Sequence, residues 1–255
     1  MQEIRYEVAE RVATLTIDRP AKRGAMTYAM LEEFTARIDE AGHDPEVAVL
    51  LVTGVPGSFC AGIDLADLAG RSPDERGAVR SREIPALMEC PKPVLCAVDG
   101  MAVGMGAEFA TQADLRLVST RARFRWNFVH RGLVSDTGAG SWLLPRQIGT
   151  PAALRLLYTG DDLGADEAVA LGFAVSSHAP EELPDAARAL AVKIATASPF
   201  ALARTKKLVL DGAGIGMADH VAATREALAE CFASEDHAEG VASFLERRPA
   251  RFTGR

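Results

Sequence analysis

Apolar and polar positions change period several times along the chain. Near the start, Val12, Thr14 and Thr16 alternate with Ala13, Leu15 and Ile17, which predicts a β-hairpin over Ile4–Ile17 turning at Ala9-Glu10-Arg11. From Thr27 to Ala41 the period lengthens: Leu31, Phe34 and Ile38 recur at helical spacing behind Thr27, a residue type suited to an N-cap. Gly42 and Pro45 end that helix. Val47 to Val52 and Val94 to Val98 are unbroken apolar runs, the mark of strands covered on both faces. Both open into glycine-rich stretches, Gly54 to Leu65 and Gly100 to Gly106, the second followed by a predicted helix from Gly106 to Gln112.

The stretch from Asp67 to Arg80 is polar and aperiodic and predicts an excursion before a helix running to Met88. Leu115–Val118 reads as a short strand, Ala122–Phe128 as an extended piece and Gly132–Trp142 as another glycine-rich turn. Leu143–Ile148, Pro151–Tyr158 and Asp166–Leu171 read as helices, and Phe173–Val175 as a last strand. From Glu181 the signal is helical only: Glu181–Ala197, Pro199–Leu210, Met217–Ser234 and Glu239–Arg247. Strands interleaved with helices predict an α/β core over residues 1–194 carrying any active site, and the shift in composition predicts a helical region over 195–255.

A net charge of −7 sets aside nonspecific attraction to nucleic acid or anionic membrane, so a polyanionic ligand must find a local basic patch. Cys60, Cys90, Cys96 and Cys231 are scattered in apolar surroundings without a C-x-x-C pair, which favours reduced thiols in a cytoplasmic protein over disulfides or zinc. The first residues lack an apolar signal core, and no uncharged run approaches the roughly 20 residues that span a bilayer.

The chemistry concentrates where the two long apolar runs end. Val94 to Phe109 combines a strand, a glycine-rich turn and a helix start with Glu108 in the first helical turn, where exposed backbone N–H groups favour negative charge. On these residues alone a packing corner with a solvated glutamate is the simpler reading. Two such turns can, however, supply two backbone N–H donors to one oxygen, the arrangement a developing oxyanion needs.

The residues in those turns are Phe59-Cys60-Ala61-Gly62-Ile63-Asp64-Leu65 and Gly100-Met101-Ala102-Val103-Gly104-Met105-Gly106-Ala107-Glu108, preceded by Asp18-Arg19-Pro20-Ala21-Lys22-Arg23. With the tail from Glu239 to Phe252 they make the chain resemble the crotonase, or enoyl-CoA hydratase/isomerase, superfamily over nearly its whole length. The resemblance implies a spiral of ββα units with a C-terminal α-helical region, assembled as a homotrimer or homohexamer. It implies an acyl-CoA thioester substrate and no metal or other cofactor, coenzyme A being part of the substrate.

Carried over position by position, Ile63 and Met105 would donate the oxyanion-hole N–H groups, Met105 standing where a glycine is more usual. Lys22 and Arg23 would approach the coenzyme A phosphates, Ala25, Ala61 and Asp64 would line the pantetheine and adenine, and Phe244 and Arg247 would touch the nucleotide. Glu108 matches the first of two glutamates that a typical hydratase uses. Phe128 stands where the second is expected, so the two-glutamate hydration mechanism lacks one of its groups. Asp136 falls where several double-bond-shifting members carry an acid, and Glu108 and Asp136 could divide a proton shuttle between them in an apolar pocket beside Trp126 and Phe128. Asp136 before Thr137-Gly138 also suits an N-cap. Isomerisation is therefore expected ahead of hydration or dehydration through Glu108, with a noncatalytic acyl-CoA-binding protein as the rival of another class. His130 reads as a satisfied structural histidine and Cys60 as an apolar filler.

Overall fold

The computed structural model describes residues 3–72, 86–135 and 137–255. Most of the predicted polar excursion and Asp136 lie outside the described residues.

The predicted hairpin forms as β1 (Ile4–Ala9) and β2 (Val12–Ile17), paired antiparallel with Ile4 opposite Ile17. Glu10 and Arg11 make its turn in the left-handed region, at φ 51° and 63°. Beyond β2 the sheet is parallel: β3 (Val49–Gly54), β5 (Val94–Val98), β7 (Leu115–Ser119) and β10 (Ser176–His178) complete six strands in the order β1-β2-β3-β5-β7-β10. A smaller sheet takes β4 (Ser58–Cys60), β6 (Met101–Val103), β8 (Arg123–Arg125) and β9 (Leu163–Gly164). Three times in succession the chain lays one strand in the large sheet and the next in the small one, with β3–β4, β5–β6 and β7–β8. This is the spiral of strand pairs and helices that the sequence implies.

The helices of the first turns are α1 (Tyr28–His43), α2 (Leu65–Ala69), α3 (Ala86–Glu89) and α4 (Met105–Gln112). Thr27 caps α1 by accepting from the Met30 N–H at 3.2 Å, and Phe34 and Ile38 turn into the core, where Phe34 stacks on Phe109 of α4 at 4.8 Å. The alternation along β3 shows why its sequence carries no polar side: Leu50 and Val52 face this core, whereas Val49 and Leu51 face a second one. That second core is closed by Leu183, Ala187, Ala191 and Ala195, one stripe of α8 (Leu183–Ala195).

Between these elements run α5 (Leu144–Ile148), α6 (Thr150–Thr159) and α7 (Ala165–Ala170). Arg116 on β7 is buried and donates to the carbonyls of Ala110, Ala113 and Phe173, satisfying the C-terminal end of α4. The predicted strand at Phe173–Val175 is displaced: pairing begins at Ser176, because Phe173 instead packs edge-on against Phe124 and Trp126, 4.9 and 5.8 Å away. Only Arg123–Arg125 of the expected extended piece is strand.

The chain closes with α9 (Pro199–Gly212), α10 (Met217–Ala233) and α11 (Glu235–Glu246). The last begins earlier than its periodicity predicts, since the Ser234 hydroxyl caps it at the His237 N–H, 3.0 Å away. Neither α9 nor α10 buries a residue. The region is fastened by Lys206 pairing with Asp114 at 2.9 Å and by buried Asp236, which accepts from Ser198 Oγ, Thr253 N and Gly254 N. Among the described residues no single helix is long and apolar enough to cross a membrane.

Candidate active site

The two glycine-rich turns meet. After β4, the chain runs beside residues 23–26: Ala61 N donates to Arg23 O (3.1 Å), Met26 N to Gly62 O (2.8 Å) and Asp64 N to Met26 O (2.8 Å). This parallel ladder passes over the N–H of Ile63, which has no partner among the described residues. After β6, Gly104 at φ 54° turns the chain into α4, so Met105 is the first helical residue and its N–H is one of those a helix start leaves over. Gly62, at φ 92°, lies so close to this second turn that a Cβ there would stand 2.8 Å from Val103 O and 3.6 Å from Met105 N. On the other side, a Cβ on Gly106 would stand 2.2 Å from Cys60 O. Ile63 and Met105 thus line one cleft of about 630 Å³, with Tyr28, Leu65, Leu68 and Phe128 among its walls.

Glu108 lies one turn into α4 and is fully buried. Its Oε2 accepts from the Thr137 hydroxyl at 2.5 Å. Thr137 Oγ1 in turn accepts from Gln112 Nε2 and from the Ala139 N–H, each at 3.3 Å. Thr137 and Gly140 press onto the carboxylate: a Cβ on Gly140 would stand 2.4 Å from Glu108 Oε1 and 2.5 Å from Ser135 Oγ. Gly140 sits in a single π-helical turn, Ala139–Leu143. Ser135 lines the cleft, and Glu108 lies behind that wall.

The remaining expected site residues divide. Phe128 lines the cleft, but Trp126 does not: it is buried with Phe124 and Phe173, whereas at Phe128 (φ −62°, ψ −41°) the chain leaves extended geometry and enters a 3₁₀ turn, Val129–Arg131. Lys22 and Arg23 stand exposed around a short 3₁₀ turn (Pro20–Lys22), with no ion pair among the described residues. The Arg23 carbonyl is bonded to Ala61 N and Ser58 Oγ, which ties that basic turn to the cleft wall.

Ala61 lines the cleft, while the Ala25 carbonyl and the Asp64 carboxylate both accept from Arg19. Asp64 also caps α2 through the Ala66 N–H, and the Arg19 guanidinium holds its carboxyl below the usual carboxylate range. Phe244 and Arg247 lie off the cleft, Phe244 lining a separate groove with Phe200 and Val241. His130 is satisfied by the Thr159 carbonyl at 2.7 Å, and burial pushes the Cys60 thiol up to about 12.

Tyr28, Arg131, Leu133 and Val134 of the cleft wall, and Thr137 behind it, escaped the sequence reading. Thr137 is 29 positions from Glu108, and a single hydroxyl in a glycine-rich turn carries no periodic signal. Among the described residues no group of three or more His, Cys, Asp or Glu is placed to hold a metal ion.

Known proteins share this arrangement at the level of the whole chain. The family described as Enoyl-CoA hydratase/isomerase is matched over residues 7–255. The chain belongs to that family. A Rhodobacter capsulatus protein named "Probable enoyl-CoA hydratase" is 36% identical over 99% of this chain and 98% of its own length. The 1,2-epoxyphenylacetyl-CoA isomerase of Escherichia coli is 33% identical, with 100% of both chains covered. The crystal structure of an enoyl-CoA hydratase from Bacillus anthracis superposes over all of both chains with a TM-score of 0.94 at 26% identity. The hydratase/isomerase family thus supplies the spiral fold and makes this protein an acyl-CoA enzyme, with relatives named for both reactions.

Proposed function

We propose that this enzyme binds an enoyl-CoA thioester with its carbonyl oxygen between the N–H groups of Ile63 and Met105 and shifts the double bond. The observation that supports the reading is a pair of backbone N–H groups, that of Ile63 without a partner among the described residues and that of Met105 at the start of α4, on two contacting turns whose residues line one cleft. Charge that develops on the thioester oxygen as a proton leaves is stabilised there without reorganisation. A carboxylate removes a proton from one carbon and a proton returns two carbons away, with the dienolate held in between. Glu108 and Asp136 are the two carriers in this reading. Phe128 supports isomerisation over two-glutamate hydration, because it presents a ring to the cleft where a second carboxylate would hold water.

Lys22 and Arg23 bind the coenzyme A phosphates, with Ala25, Ala61 and Asp64 beside the pantetheine and adenine. Phe244 and Arg247 reach a nucleotide only in an assembly, a homotrimer or homohexamer, of a cytoplasmic protein. Hydration through Glu108 is the second reading, favoured by the relatives that bear hydratase names.

Separate assays of a 3-enoyl-CoA and a 2-enoyl-CoA decide between them. Conversion of the first to the second is expected; rapid hydration of the 2-enoyl-CoA with an inert 3-enoyl-CoA overturns the isomerase reading. Tight acyl-CoA binding without deuterium uptake at the α-carbon would mark a noncatalytic binder.

A further inference from the structure

We infer that Thr137 is a positioning residue for Glu108: its hydroxyl holds the buried carboxylate in its ionised form and fixes which oxygen faces the reacting carbons. This rests on Glu108 being a proton carrier. The argument is one of counting donors. A hydroxyl has one proton and two acceptor sites. Both acceptor sites of Thr137 Oγ1 are engaged, by Gln112 Nε2 and by the Ala139 N–H, so its proton is committed to Glu108 Oε2, 2.5 Å away.

A hydrogen bond donated to a carboxylate favours the charged form, and it counts for more inside a buried site than at a surface. The donor is itself anchored at both ends. Gln112 is the last residue of the helix that carries Glu108, one turn further on, and Ala139 opens the π-helical turn whose Gly140 packs against Oε1. Thr137 therefore locks α4 to the π-helical turn Ala139–Leu143 through the carboxylate. With Oε2 engaged on the Thr137 side, Oε1 is turned toward Gly140 and Ser135, the latter a residue of the cleft wall.

Of the elements packed against α4, β4 carries Cys60, kept neutral by burial, and α3 carries Glu89; α1, which meets α4 where Phe34 stacks on Phe109, carries Glu32, Glu33, Arg37, Asp39, Glu40 and His43, and Arg116 of β7 donates to the carbonyls at the far end of α4. Asp136 adjoins Thr137 in sequence and lies outside the described residues. The hydrogen bond from Thr137 to Glu108 Oε2 favours the ionised form.

The test is the pH profile of kcat/KM for the proton transfer in Thr137→Val, Thr137→Ser and the parent enzyme, with Glu108→Gln beside them. Thr137→Val removes the donor, so the acid limb moves up by about one pH unit. Turnover falls about tenfold with KM nearly unchanged, since the loss is in proton transfer and not in binding. Thr137→Ser keeps the hydroxyl and restores both. A Thr137→Val profile whose acid limb does not move, or a Thr137→Ser enzyme as impaired as Thr137→Val, overturns the role of the hydroxyl. If Glu108→Gln keeps full activity, the assignment of Glu108 itself fails, an outcome separable from failure at Thr137 alone.

Discussion

At the scale of single residues, the site is held by glycines whose missing side chains are replaced by backbone. Gly106 shows this without any special dihedral: its Cβ would overlap the Cys60 carbonyl at 2.2 Å. Gly106→Ala is therefore expected to destabilise the fold by about 1–3 kcal/mol, the range for forcing an extra methyl into a packed core, and to lower turnover. Gly132→Ala provides the contrast, because open space surrounds it and only its φ of 66° resists a side chain; a loss of about 1 kcal/mol is expected. Urea unfolding of both variants measures the difference. These glycines were legible as punctuation in the sequence, as were Glu108 and the two turns. Thr137 was not legible, because its significance lies in a contact between segments and in no local pattern. Trp126 was misplaced for a related reason: alternation keeps Trp126 with Phe124 in the core, but the chain leaves extended geometry at Phe128 and enters a 3₁₀ turn, so the pocket role of Phe128 does not extend to Trp126.

At the scale of elements, the caps and periodicities were readable and the joints between elements were not. The helix from Thr27 could be read from its apolar stripe and its cap. The Arg19 junction could not, since it gathers Glu3 from the strand edge, the Ala25 carbonyl and Asp64 at the start of α2. Arg19 donates to Asp64 at 2.8 Å and depresses its carboxyl. A carboxylate whose folded-state affinity for protons is lowered adds stability that is complete above its ordinary range and disappears as pH falls through the folded-state value. Between about pH 5 and pH 2, the wild-type unfolding free energy is expected to fall more steeply than that of Asp64→Asn, which starts lower at neutral pH and has no such proton to take up. Urea midpoints across that window give the slopes, and equal slopes would exclude the clamp.

At the scale of the whole molecule, the contrast is between a spiral core sealed on both faces of its main sheet and a helical end that seals almost nothing. Along α10, Met217, Val221, Leu228 and Phe232 form one stripe at helical spacing, with Met217 78% and Phe232 61% exposed. A stripe of this kind calls for a partner surface, and the proposed trimer or hexamer supplies one from other copies. Sedimentation of the intact protein is expected to give three or six chains, and Met217→Glu with Phe232→Glu to give smaller species with the core still folded; a monomeric parent protein would contradict the assembly.

The contacts at Gly62 and Gly106 carry a last consequence. They set the separation of the Ile63 and Met105 N–H groups through main chain alone, so exchanging side chains elsewhere does not retune it. Leu133 and Val134, by contrast, stand on an exposed lip of the same cleft, Val134 at 80% exposure, where substitutions disturb little packing. Under the proposed oxyanion role, substitutions at that lip would alter the cleft's mouth while leaving the spacing of the two N–H groups as the main chain sets it.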